Sequence, residues 1–221
     1  EPAEVLLTVT NTNVSCYGLA DGTITATASA GAIITVNGLA YNSTALYTPG
    51  VYIIMASVAN PNTTCTDEIT LTITEPEELI LNVEYTNVSC YGLEDGTITA
   101  SANSGTSITV NGLPYDPDAA YAPGSYTVIA SIENANSDGE CTTQQTINIT
   151  EPLELQLSIQ FTNASCADTA DGTILATING AGSISVNGDL YDETAMYDAG
   201  SYTLVASVDN GNQNGVCSVQ E

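Results

Sequence analysis

Six cysteines carry the most reactive chemistry in this chain, and they fall in evenly spaced pairs: Cys16 and Cys65, Cys90 and Cys141, Cys166 and Cys217. An even count at a repeated spacing reads as disulfides, whereas a metal site needs Cys and His clustered at short intervals. Buried free thiols are the competing reading. Paired within each interval, a bridge closes a loop of roughly 50 residues and contributes about 4 kcal/mol in the chain-entropy model. Such a bridge forms if the strand after the first cysteine lies antiparallel beside the long strand before the second, so that their ends meet. Pairing across neighbouring intervals, such as Cys65 with Cys90, is the alternative, and it strands Cys16 and Cys217. Disulfides imply an oxidising, extracellular setting.

The other candidates for chemistry are carboxylates and sequons. Glu75, Glu77 and Glu78, Asp116 with Asp118, and Asp189 with Asp192 and Glu193 present hard oxygens that suit calcium, without the spacing of an EF-hand. A solvated acidic surface is the commoner cause of such groupings. Asp21, Asp95 and Asp171 each precede Gly at a strand start, where turn chemistry explains them better than catalysis. Asn-x-Ser/Thr sequons stand at Asn13, Asn42, Asn62, Asn87, Asn148 and Asn163. A threonine-rich chain produces sequons by chance, yet Asn148 lies between Ile147 and Ile149, on the expected outward face.

Composition narrows the functions further. The 221 residues include no Lys, Arg or His against 26 Asp and Glu, a formal charge of −26. Nucleic acid and anionic membranes are repelled by such a chain, so neither is an expected partner. General acid–base catalysis loses its commonest agent and oxyanion stabilisation loses its cations, so no enzyme is expected. Apolar residues at 43% argue for packed cores rather than an acidic disordered tail. No stretch approaches 18 consecutive apolar residues and no basic segment opens the chain, so neither a membrane span nor a signal peptide is expected.

The elements that must position these groups are written three times. Ser15-Cys16 with Asp21-Gly22-Thr23-Ile24 recurs as Ser89-Cys90 with Asp95-Gly96-Thr97-Ile98, and as Ser165-Cys166 with Asp171-Gly172-Thr173-Ile174. Glu-Pro pairs at Glu1-Pro2, Glu75-Pro76 and Glu151-Pro152 open the copies, giving domains 1–74, 75–150 and 151–221. Within each copy the apolar residues alternate. Leu155, Leu157, Ile159 and Phe161 share a face of an opening strand, and Ile24, Ala26 and Ala28 alternate with Thr23, Thr25 and Thr27 in the next. Val36-Asn37-Gly38, Val110-Asn111-Gly112 and Val186-Asn187-Gly188 predict type I′ hairpin turns. Tyr126, Val128, Ala130 and Ile132 mark a long strand, and Ile69, Leu71 and Ile73 a last one. Six short strands per copy and no helical period predict an all-β fold of tandem immunoglobulin-like antiparallel β-sandwich domains. The short Pro-containing links predict a stiff array.

In order along the chain, Ser-Cys, Asp-Gly-Thr-Ile, Gly-x-Tyr, a second Cys and Ile-Thr-Glu-Pro resemble the SprB repeat of very large surface adhesins in gliding bacteria, across all three copies. The resemblance implies a secreted cell-surface repeat protein that contacts surfaces or polysaccharide and performs no catalysis. This chain departs from that pattern mid-copy, where Val-Asn-Gly-x-x-Tyr replaces a Trp-containing segment. Asp168-Thr169-Ala170 is similar to the Asp-Thr/Ser-apolar pattern for O-linked sugar in such bacteria, making Thr169 a further glycosylation candidate. The expected function is the structural shaft of an extracellular fibre or giant adhesin, disulfide-stapled and glycosylated; a glycan- or surface-binding adhesin module is the alternative. No cofactor is expected, structural calcium at the carboxylates above being the alternative. The expected partners are neighbouring copies or repeats, with a glycan or surface ligand for the adhesive alternative.

The third copy has only Ser218-Val219-Gln220-Glu221 after Cys217, so its last strand is expected to be missing because the chain is an excerpt of a longer array, or else to be supplied by a neighbour through β-strand addition. The opening segment Glu4–Thr10 is the expected donor for such an exchange.

Overall fold

A computed structural model describes residues 4–61, 63–103, 105–136, 139–211 and 215–221. Alternation of branched and small residues builds six strands in the first repeat: β1 (Leu7–Thr12), β2 (Thr23–Ala28), β3 (Ile33–Val36), β4 (Leu39–Ala40), β5 (Gly50–Asn60) and β6 (Thr63–Ile73). The second repeat follows with β7 (Leu81–Thr86), β8 (Thr97–Ala102), β9 (Ser107–Val110), β10 (Leu113–Pro114), β11 (Gly124–Glu133) and β12 (Glu140–Ile149). The third has β13 (Leu157–Thr162), β14 (Thr173–Ile178), β15 (Ser183–Val186), β16 (Asp189–Leu190), β17 (Leu204–Asp209) and β18 (Val216–Gln220). No helix occurs among the described residues.

Each repeat is a small antiparallel sandwich. In the first, the two-stranded sheet β1-β2 faces the four-stranded sheet β4-β3-β5-β6; the others repeat this order as β7-β8 with β10-β9-β11-β12, and β13-β14 with β16-β15-β17-β18. Leu7, Ile24 and Ala26 from the small sheet pack on Val36, Ile54, Ala56 and Ile73 from the large one. The threonines between them point to solvent, because successive side chains on a strand leave by opposite faces. The β3–β4 turn is the expected Asn-Gly hairpin: Asn37 and Gly38 have φ of 48° and 80°, and the Asn111-Gly112 and Asn187-Gly188 pairs match them.

A tyrosine closes the open edge of the small sheet. The Tyr41 hydroxyl accepts from the Ala26 N–H at 3.1 Å and donates to the Ile24 carbonyl at 3.0 Å, standing in for a third strand beside β2. Tyr115 and Tyr191 do the same for residues 98 and 100 and for residues 174 and 176. A buried backbone group left without a partner costs about 1–3 kcal/mol, so a side chain that caps an edge saves more than its own bonds suggest.

The chain forms two compact units. One comprises Glu1–Asn82, Ser101–Gly112 and Ile129–Gln144; the other comprises Val83–Ala100, Leu113–Val128 and Gln145–Glu221.

Candidate functional site

The Ser-Cys loop is where each unit joins one repeat to the next, and its geometry starts with an aspartate. Asp21 accepts the Ser15 amide at 2.9 Å and also the Ser15 hydroxyl, which pins the loop between β1 and β2. Asp95 holds Ser89 in the same way, and Asp171 accepts the Ser165 amide at 2.7 Å. These donors, the hydroxyl first and the amide second, hold all three carboxyls below the ordinary aspartate range. Beyond the turn chemistry expected of Asp before Gly, these residues clamp the Ser of the loop, and the constant Ser-x5-Asp interval in all three copies is the sequence signal of it.

The clamped loop offers its carbonyl to the next repeat. Ser15 O accepts the Ala135 N–H at 3.1 Å, Asn13 O accepts the Asn136 carboxamide at 3.3 Å, and a disulfide joins Cys16 to Cys141 with Cα atoms 5.6 Å apart. The Cys141 sulfur lies 3.4 Å from Ser15 O; being oxidised it carries no proton, so this is a contact and not a hydrogen bond. The other unit repeats the joint: Gly211 N–H donates to Ser89 O at 3.0 Å and Cys90 is bonded to Cys217, Cα atoms 5.7 Å apart. In both joints the first cysteine of one repeat meets the second cysteine of the following repeat. Cys65 and Cys166 remain thiols.

This corrects the expected pairings Cys16–Cys65, Cys90–Cys141 and Cys166–Cys217, and equally the alternative of Cys65 with Cys90. The reason is strand direction. The second strand and the long strand are not neighbours in one sheet but belong to opposite sheets, and both run away from the end at which Gly22 bridges Tyr47. Cys16 sits at that end, beside Glu75, whose carboxylate accepts the Gly18 N–H at 3.0 Å. Cys65 lies opposite Val58, most of the length of β5 away, since Gly50 pairs with Ile73 at the near end. At ~3.3 Å per residue that is about 26 Å, whereas bridged Cα atoms lie within about 7 Å.

The remaining candidate residues are dispersed. Asn13 and Asn87 accept the Thr74 and Thr150 N–H groups through their side-chain oxygens, each at 2.9 Å, and so tie strand ends. Asn42 accepts Thr44 twice in an Asx turn, and Asp192 does the same with Thr194, which lowers its carboxyl below the usual range. Asp116 accepts the Asp118 N–H at 3.0 Å. Asn148, Asn163 and Thr169 are exposed, and Asn62 lies outside the described residues. Glu77 and Glu78 border a 540 Å³ cleft beside the Cys16–Cys141 joint, Asp189 lies on β16 opposite Val186, and Glu193 is exposed. Among the described residues, no three of His, Cys, Asp or Glu gather as a metal site would require.

The clamp predicts a pH effect. A carboxyl depressed in the folded chain stabilises it above the unfolded value of about 3.9, and this contribution is lost as pH falls through the lower folded value. Acidification also relieves the self-repulsion of a −26 chain, so the measurement is a difference. Asp21→Asn is expected to be less stable than the parent in urea at pH 7, with the gap narrowing as pH falls below about 4. A gap that keeps its full size however far the pH is lowered contradicts the clamp.

The family model of the SprB repeat matches residues 8–33, which run from β1 through the clamped loop and β2 to the first residue of β3. That family consists of structural, cell-surface, adhesin-like repeats and is not enzymatic. No curated protein matches the chain. The two disulfides fit an extracellular protein.

Proposed function

We propose that this chain, with its SprB-repeat match at residues 8–33, is a length of the shaft of an extracellular bacterial surface fibre or giant repeat adhesin, glycosylated on its exposed face and without catalytic activity. The observation that carries this reading is the joint built twice from the same parts: a clamped Ser-Cys loop, a backbone bond to the following hairpin and a disulfide across the repeat boundary. The peptide link and the disulfide act in parallel there, so tension at the joint has two covalent routes. On this reading Cys166 is matched to the second cysteine of a following repeat and Cys65 to the first cysteine of a preceding one. Such partners are repeats of this kind, in the same chain or another copy. Glycans on Asn13, Asn42, Asn87, Asn148, Asn163 or Thr169 would add bulk outside the cores, and the joint is built without calcium as a part of it.

Single-molecule stretching tests the load-bearing role. With both bridges closed, the unfolded chain has an end-to-end covalent path of about 250 Å; reduction raises it to about 800 Å, at ~3.6 Å per residue. The shaft reading expects the oxidised chain to resist at the short limit and the reduced chain to run out to the long one. Equal extension before and after reduction, or saturable binding of an isolated chain on a glycan array, overturns it.

A further inference from the structure

The first repeat differs from the other two on the outside of its large sheet. Ile54 and Ala56 are wholly buried in the core, so Val51, Ile53, Met55 and Ser57 leave β5 by the opposite face. Along that face β6 sets Thr72, Thr70, Glu68 and Thr66 beside them in turn, while β3 sets Thr35 beside Met55 and Ile33 beside Ser57. Val51 is 61% exposed, Ile53 43% and Ile33 67%, and Met55 is half-buried.

The fold does not require these side chains. Aligned on Gly-x-Tyr, Val51 matches Ser125 and Ser201, Ile53 matches Thr127 and Thr203, and Ala59 matches Glu133 and Asp209. Ile33, the first residue of β3, matches Ser107 and Ser183, which open β9 and β15. The other two repeats thus build the same sheet with hydroxyls and a carboxylate at these four places. Neither strand formation nor the core explains why the first turns aliphatic side chains to water there, side by side on one face. Thr72 also stands where the second repeat has the sequon residue Asn148, so among the described residues this face carries no sequon.

We propose that this face is a lateral contact between two copies of the chain, sheet stacked on sheet about a twofold axis, with Val51, Ile53 and Met55 of each copy against those of the other. Charge selects the partner. Glu68 is the one ionisable side chain on the face, so two chains of −26 can meet here with a single carboxylate on each side. A cationic partner gains little from such a face and much from the rest of a chain with 26 acidic residues. What complements a neutral surface of threonine and aliphatic side chains is another of the same kind, and a second copy supplies it. The area sets the strength. From Val51 to Ala59 the face is about 27 Å long at ~3.4 Å per residue, and three strands at ~4.8 Å make it about 14 Å wide. About 400 Å² in projection on each copy places the pair among weak, reversible contacts rather than permanent dimers. Net charge opposes the association, so salt promotes it. The contact is independent of any load the joints bear.

Sedimentation equilibrium of the intact oxidised chain, from about 10 μM to about 1 mM in low and high salt, tests this. The expected result is a reversible monomer–dimer equilibrium with a Kd of about 0.1–1 mM in high salt, weakened roughly tenfold in low salt. The dimer is expected to run as monomer on a non-reducing denaturing gel, which separates it from disulfide exchange at Cys65 or Cys166. A variant carrying Ile33→Ser, Val51→Ser and Ile53→Thr, the residues of the second repeat, is expected to stay monomeric over the same range with the circular dichroism of the parent. In the parent, dilution is expected to shift the methyl resonances of Ile33, Val51, Ile53 and Met55 and to leave Val205 of the third repeat in place, a readout that does not depend on any variant. A chain that stays monomeric in both salts, a dimer that the triple variant keeps, a covalent dimer, or dilution shifts confined to other residues overturns the proposal.

Discussion

Replacing Cys16 and Cys141 together by serine is expected to lower the unfolding free energy of their unit by about 5 kcal/mol. The two residues are 125 apart in sequence, and the chain-entropy cost released by cutting a cross-link grows with the logarithm of the enclosed loop. A joint within one repeat would enclose only about 50 residues and contribute about 4 kcal/mol. Stability alone therefore does not separate the two arrangements, and thiol counting does. In a monomer, Cys65 and Cys166 react with a thiol reagent under denaturing, non-reducing conditions. Cys16→Ser is expected to add Cys141 to them, identified by peptide mapping after cleavage at acidic residues, since the chain has no Lys or Arg for trypsin. Recovery of Cys65 as the newly freed thiol, with none reactive in the parent, contradicts the cross-repeat joint.

Ile73→Ala is expected to cost about 3 kcal/mol in the first repeat, within the range for a large aliphatic residue truncated in a core. The side chain is almost wholly enclosed, and Gly22 leaves no Cβ to move into the space it vacates. Relaxation is thus limited and the cavity term is retained. Leu71→Ala, two residues earlier and only partly buried, is expected to cost clearly less. Urea unfolding of each variant supplies the comparison. A loss below about 1 kcal/mol for Ile73→Ala shows that the site collapses and contradicts this account of the core.

Much of the fold was legible because period-2 patterning and turn chemistry are local. Ile24 and Ala26 alternating with threonines specify a strand with one dry face, and Asn37-Gly38 specifies the tight hairpin through its positive φ values. The candidate site was less legible. Ser15 and Asp21 are six residues apart and were visible as a repeated pair of residue types, yet nothing local says that one side chain holds the other's amide and hydroxyl. The tyrosine hydroxyls that cap β2, β8 and β14 were similarly recognisable as residues and not as edge partners.

By itself the sequence determined the chemistry and the period of this protein: six sulfurs, no cation, three copies of one strand pattern, and the sandwich that such a pattern must close to bury its apolar face. Only the tertiary structure decided which sulfurs meet. That choice depends on whether two strands of one repeat lie in the same sheet or in opposite sheets, and so on which ends of the sandwich their cysteines reach. Equal spacing along a chain carries no information about direction in space, and here direction carried Cys16 past its nearest partner in sequence to one in the following repeat.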